Sequence, residues 1–258
     1  MTVYVGNKPY LCQGLDNKIM IRLKEIKLLK FREDLSSLPD TKLLINTINA
    51  HSYNTARKDA AFAEALKKGD VLIPDGASIV MALKWLRGER MERIAGADLF
   101  AFEMDKLNAK GGTCFFLGSS DKVLELIRRR AEKDYLNIKI ITYSPPYKPE
   151  FTAEENQAMI RAVNEAQPDL LWIGMTAPKQ EKWAYSHLPE LDVKGHIGTI
   201  GAVFDFYAGT VKRAPLWWQK HSLEWLYRLL MEPRRMWRRY VIGNTLFVWN
   251  VTKEKVGF

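Results

Sequence analysis

At 258 residues, with 47% apolar and 27% charged content, the chain has the composition of a globular protein built around one large core. No run approaches the ~18–20 apolar residues of a membrane span, and the start, MTVYVGNKPYLCQGLDNK, has no basic segment leading into an apolar one, so no signal peptide is expected. The two cysteines, Cys12 and Cys114, match no zinc or redox spacing, and the net charge of +9 asks for an anionic partner.

Residues 1–40 carry little pattern, although Ile19–Leu35 reads as a basic helix. From there short apolar runs alternate with helical segments. Lys42–Thr47, Val71–Pro74, Thr113–Gly118, Ile138–Tyr143, Leu170–Gly174 and His196–Gly201 read as buried strands. Asn54–Lys68 and Asp121–Lys133 read as amphipathic helices, and Thr152 with Glu155 forms a capping box for the next. Strand–helix alternation predicts a Rossmann-like α/β fold: a mainly parallel sheet with helices on both faces. This pattern stops near Gly201, which places an α/β catalytic core at residues 1–203 and a helical, basic appendage at 204–258. Pro215 and Pro233 suit the first turns of two helices, Leu216–Met231 and Arg234–Val248.

Within the appendage, Lys212–Arg239 holds eight Lys or Arg and two Glu, a local charge of +6, with Trp217, Trp218, Trp225 and Trp237 threaded through it. Cations that meet phosphate beside indole rings that settle at an interface fit an anionic bilayer surface. Arg234, Arg235, Trp237, Arg238 and Arg239 are the expected membrane contacts. A nucleic acid is a second partner for the same composition, and a solvated helix pair with inward Trp is the plain structural reading.

Ligands of a parallel sheet bind at the carboxyl ends of its strands. There the first strand runs into Asn46, Thr47, Asn49 and His51, the second into Asp75 and Gly76, and the fifth into Gln180 and Glu181. A carboxylate after a buried strand, followed by Gly, can serve as a general base or can simply cap a helix. Gly118-Ser119-Ser120 makes a turn whose N–H groups suit a phosphate. His51, His187, His196 and His221 show no metal spacing and read as structural. There is no D-x-D, so no metal-held diphosphate is expected.

The strings NTINAHS (Asn46–Ser52), IPDGASIVMA (Ile73–Ala82), RIAGADL (Arg93–Leu99), FFLGSS (Phe115–Ser120), IGMTAPKQE (Ile173–Glu181), GAVFDFYAGTVKRAP (Gly201–Pro215) and LEWLYRLLMEPRRMWRR (Leu223–Arg239) resemble, in order, the WecG/TagA/CpsF family of glycosyltransferases. The resemblance covers about residues 42–240; the first forty residues depart from the opening expected in the family. It implies inverting, metal-independent transfer from a UDP-sugar to a polyprenyl-diphosphate-linked acceptor on the cytoplasmic membrane face, in cell-surface polysaccharide synthesis. It makes Asp75 the base and Arg213 the group acting on the leaving diphosphate. Thr47, Asn49, Arg93, Gly96, Asp98 and Gln180 become substrate contacts, beside Gly118 and Ser119 of the turn already read as suiting a phosphate. The resemblance implies no cofactor and no nucleic acid, and leaves homo-oligomerisation and the identity of both sugars open. The competing enzyme class, a nicotinamide-dependent oxidoreductase, would need a Gly-rich fingerprint that the chain lacks.

Overall fold

The computed structural model describes residues 3–4, 9–10, 21–221 and 223–257. Two short strands, β1 (Val3–Tyr4) and β2 (Pro9–Tyr10), pair antiparallel. The six strands read from the sequence form one sheet: β3 (Leu43–Ile48), β4 (Val71–Pro74), β5 (Gly112–Gly118), β6 (Ile138–Tyr143), β7 (Leu170–Gly174) and β8 (His196–Thr199). They run in the order β4-β3-β8-β7-β5-β6, and every pairing is parallel. Their continuous Val, Ile, Leu and Phe runs are those of strands covered on both faces.

One face carries α4 (Gly96–Lys110), α5 (Asp121–Asp134) and α8 (Gly201–Ala208). Here Phe116 meets Phe204 edge-on at 5.4 Å, and Phe100 packs on Trp172 at 5.5 Å and on Tyr207 at 4.8 Å. The other face carries α6 (Ala153–Ala166) and α7 (Lys179–His187), with Met159, Val163 and Ala184 buried against Phe115 and Leu171. The capping box of α6 forms as read, with Thr152 and Glu155 exchanging bonds. A third cluster joins α1 (Ala50–Ala56), α2 (Ala60–Lys68) and α3 (Ala77–Arg87) to the end of the chain.

Helix α8 straddles the boundary expected at residue 203. Its Phe204 and Tyr207 are buried in the main core, and each ring of that size contributes about 1.5–3 kcal/mol by leaving water. The last helix, α12 (Gly243–Val256), returns to the core. Its Phe247 and Val251 pack with Tyr53, and its buried Glu254 accepts from the Leu23 and Lys24 N–H groups at 3.2 and 3.3 Å and from the Tyr53 hydroxyl.

Three helical expectations change. Over the described part of Ile19–Leu35 there is an irregular strap, with a turn closed by the Glu25 N–H on Arg22 O at 3.2 Å, that buries Ile21, Leu23, Ile26 and Leu28 and leads into a 3-10 turn at Arg32–Ser37. Its backbone bonds to other elements, as in Leu29 N–H to Leu72 O at 3.0 Å, replace a helical ladder. Asn54–Lys68 is two helices, because Asp59 caps a new one through the Phe62 N–H at 3.0 Å. Leu216–Met231 breaks into α9 (Leu216–Lys220) and α10 (Glu224–Met231), while α11 (Pro233–Trp237) continues through a π turn, Arg238–Ile242, into α12. Among the described residues, no helix is long and apolar enough to cross a membrane.

Candidate active site

The carboxyl ends of all six parallel strands open into one cleft of about 1880 Å³, roofed by Val211, Arg213, α10 and the π turn. Parallel register sets its floor. Thr47 pairs with Ile73 and Ile48 with Pro74, and the Asp75 N–H continues the ladder onto Ile48 O at 2.9 Å. Asp75 therefore emerges beside Asn49, at the point where α3 begins. Gly76 packs tightly at this junction: a Cβ there would lie 3.3 Å from the Asn49 Cβ, which would have to give by a few tenths of an ångström.

The Asp75 carboxyl is half-buried at the cleft floor, and its pKa is pushed up to about 7. Desolvation is the main cause, with Glu224 and Asp98 adding to it, while Arg93 and Arg213 pull the other way. A carboxyl poised near neutrality can take a proton from a substrate hydroxyl. The cations opposite it are held by one carboxylate. Arg93 Nη1 donates to Glu224 Oε2 at 2.9 Å, and Arg213 Nε donates to Glu224 Oε1 at 3.2 Å. Arg228 also lines the cleft; its guanidinium lies over the Phe206 ring, and its buried Nε has no hydrogen-bond partner among the described residues.

Of the residues expected from sequence, Thr47, Asn49, Asp75, Arg93, Gly96, Ser119, Gln180 and Arg213 line the cleft. Asn49 is at the same time the cap of α1, accepting from the His51 and Ser52 N–H groups at 3.0 and 3.1 Å. Gln180 Oε1 accepts from the Met175 and Gly201 N–H groups, both at 3.2 Å, and so pins the ends of β7 and β8 together. Ser119 takes a left-handed φ of 59° at the turn after β5. Gly118, with φ 118°, lies behind that turn, where a Cβ would sit 2.4 Å from Gly174 O. Asp98 is also placed behind the cleft wall: it caps α4 through the Ala95 N–H at 2.9 Å and pairs with Arg32 at 2.9 Å. Asn46 is fully buried, bonded to Ala65 O and to the Thr199 hydroxyl.

Arg239 lines the cleft, close enough to His51 to help burial lower that imidazole's pKa. Arg234, Trp237 and Arg238 face outward, with Arg238 over the Trp237 ring. His196 is structural, bonded to Glu103 and Pro39 O. Beside Gln180, Glu181 is 2% exposed, with its Oε2 unpartnered among the described residues, and burial pushes it up to about 7.

Sequence reasoning passed over Glu224 and Arg228. The signal for Glu224 was present, since it is one of two acids in a stretch of eight cations. An acid kept in such a stretch has partners to hold.

The family model for glycosyl transferases of the WecG/TagA/CpsF family matches residues 19–258. The chain belongs to this family. It is 31% identical over 212 residues to the N-acetylglucosaminyldiphosphoundecaprenol N-acetyl-beta-D-mannosaminyltransferase of Bacillus subtilis (strain 168), covering 82% of this chain and 80% of the relative. The enzyme of the same name from Bacillus spizizenii is 32% identical over 198 residues, 76% and 73% of the two chains. That from Staphylococcus aureus (strain MW2) is 25% identical over 240 residues, 93% and 90% of the two. The protein is a glycosyltransferase, which removes the oxidoreductase reading and that of a non-enzymatic module.

Proposed function

We propose that this glycosyltransferase moves a sugar from a UDP-sugar to a saccharide on a polyprenyl diphosphate, with inversion and without a metal. The observation that carries the reading is Asp75: a carboxyl poised at about 7 on the cleft floor, facing Arg93 and Arg213. Asp75 takes the proton of the acceptor hydroxyl as its oxygen attacks the anomeric carbon. The bond from that carbon to the β-phosphate oxygen breaks on the opposite side, and its electron pair leaves with UDP. Arg213 and Arg228 take up the developing charge, since guanidinium matches diphosphate oxygens in pairs. Thr47 and Asn49 flank the acceptor hydroxyl. The Ser119 N–H is held by Gly174 O at 2.9 Å, so the N–H groups that follow it, at the start of α5, are the ones offered to the donor, and Gly118 and Asp98 act from behind as supports of the Ser119 turn and of α4.

The relatives' names support the acceptor class, a GlcNAc-diphosphoundecaprenol, and make N-acetylmannosamine the first donor sugar to try. Exposed Trp217, Trp225, Leu230, Met231 and Trp237 beside Arg234 and Arg238 support docking of the roof on an anionic membrane, on its cytoplasmic face. We assign residues 204–258 to the appendage that completes the site, with α8 and α12 as its two anchors in the core.

The test is incubation with UDP-N-acetylmannosamine and a lipid-linked GlcNAc diphosphate, followed by UDP release and NMR of the product. UDP release with an inverted anomeric centre is expected. A retained anomeric configuration, or no transfer from any UDP-sugar, refutes the reading.

A further inference from the structure

Helix α3 starts at the catalytic carboxyl and leads away from it. Ser78, Met81, Ala82 and Trp85 recur at the three-and-four spacing of one helix face, and all four line the cleft. Across from them α12 presents Asn244, Phe247, Val248 and Val251, the same spacing, to the same cleft. Ala82, Phe247 and Val251 are buried and form a floor. Met81 at 70% exposure, Val248 at 62% and Trp85 at 50% stand as open walls. The result is an apolar groove continuous with the cleft, polar at its inner end, at Ser78 and Asn244, and met by a cation at its outer end, where Lys255 Nζ donates to Trp85 O at 2.9 Å. From Ser78 to Trp85 it runs roughly 10 Å at a helix's 1.5 Å rise per residue.

An exposed apolar groove that opens from a polar site calls for a ligand with a polar head and an apolar tail. Arg239 and His51 line the same cleft, His51 bonded to the Asn49 cap and Arg239 in the turn that leads into α12, which gives the head an anion-compatible stretch next to the apolar walls. We propose that the groove between α3 and α12 binds the first isoprene units of the acceptor's polyprenyl chain. This rests on the transfer reading above for the identity of the lipid. With the acceptor sugar at Asp75 and its diphosphate beyond, the chain enters at Met81 and Val248 and lies along Trp85. Such a groove would hold the lipid in register while the rest of the chain stays in the bilayer.

The full-length protein is titrated with monomeric farnesyl diphosphate, inorganic diphosphate and UDP by calorimetry. Farnesyl diphosphate is expected to bind at least tenfold tighter than inorganic diphosphate. Met81→Glu and Val248→Glu, on opposite walls and both at exposed positions, should each erase that advantage and leave the Kd for UDP within twofold. Equal affinity for farnesyl and inorganic diphosphate overturns the proposal. So does unchanged farnesyl diphosphate binding in both variants. If those variants lose binding to anionic vesicles instead, the face is a bilayer surface; if they dissociate a dimer instead, it is an interface between copies. A parallel loss of UDP binding also counts against the groove, because the defect then lies in the cleft. Tight farnesyl diphosphate binding by a protein that transfers no sugar would sink the transfer reading and leave the groove standing.

Discussion

The Glu224 carboxylate accepts a hydrogen bond from Arg93 at 2.9 Å, and this bond joins the roof of the cleft to its floor. The other oxygen of Glu224 holds Arg213 at 3.2 Å, so one acid on α10 positions two cations facing Asp75. Glu224→Ala is expected to lower transfer about 10–100-fold, as charge-assisted hydrogen bonds contribute about 1.5–3 kcal/mol each. Glu224→Gln keeps the shape and removes the charge that raises Asp75. The acid limb of its kcat/KM profile should move to lower pH. A limb unmoved in Glu224→Gln would show that the carboxylate does not act on Asp75.

Asp75→Asn should cut transfer by about 10²–10⁴ and preserve UDP binding. In the unaltered enzyme, activity should rise with pH through about 7, as the base loses its proton. Stability has the opposite sign. A folded pKa of about 7 against the ordinary 3.8 of an aspartate means that the native state binds more protons between those values, so stability falls as pH rises across that window. Asp75→Asn removes this loss. Its Tm should exceed that of the unaltered enzyme by a few degrees at pH 8 and match it near pH 4. Melting curves at the two pH values check this.

Activity should persist in EDTA. The acids nearest Asp75 are already engaged, Glu224 by two arginines and Asp98 by Arg32 and a helix N–H. Among the described residues no group of three His, Cys, Asp or Glu could hold a metal ion. A strict requirement for added magnesium or manganese would move the charge-stabilising role away from Arg213 and Arg228.

Anionic vesicles should sediment with the protein, and less so as salt rises. Each basic residue at such a surface contributes roughly 1 kcal/mol. Replacing the outward-facing Arg234 and Arg238 by Gln should therefore weaken partitioning by about tenfold or more. Arg239 lines the cleft, so its replacement should lower transfer as well. Equal, negligible sedimentation with neutral and anionic vesicles would contradict membrane docking of the roof.

A chain ended at residue 203 should not keep a cooperative melt. It loses Phe204 and Tyr207 from the main core and Phe247 and Val251 from the third cluster. Removal of one large buried ring typically costs about 3–5 kcal/mol. A folded, monomeric fragment 1–203 would show that these contacts add little.

The strands and the polar residues at their ends were legible because buried parallel strands are short unbroken apolar runs, and polar residues directly after them must surface at one edge. The capping box at Thr152 is a local signal and formed as read. The helices near Ile19, Asn54 and the tail were misjudged for a common reason. Their ends depend on distant partners, such as Glu254 for the Leu23 N–H and Lys182 for the Asp59 cap, 3.0 Å away.

By itself, then, the sequence determined the sheet, the base candidate after β4, the concentration of charge in the tail and the family. Tertiary structure alone decided which charges meet. Arg93 and Glu224 are separated by 131 positions, and nothing local marks them as a pair. Ser78 and Asn244 likewise become the two sides of one groove only because α12 folds back against α1 and α3. Hydrophobic patterning is periodic and local, so it can be read along the chain; ion pairs and grooves belong to surfaces that exist only once distant segments are packed together.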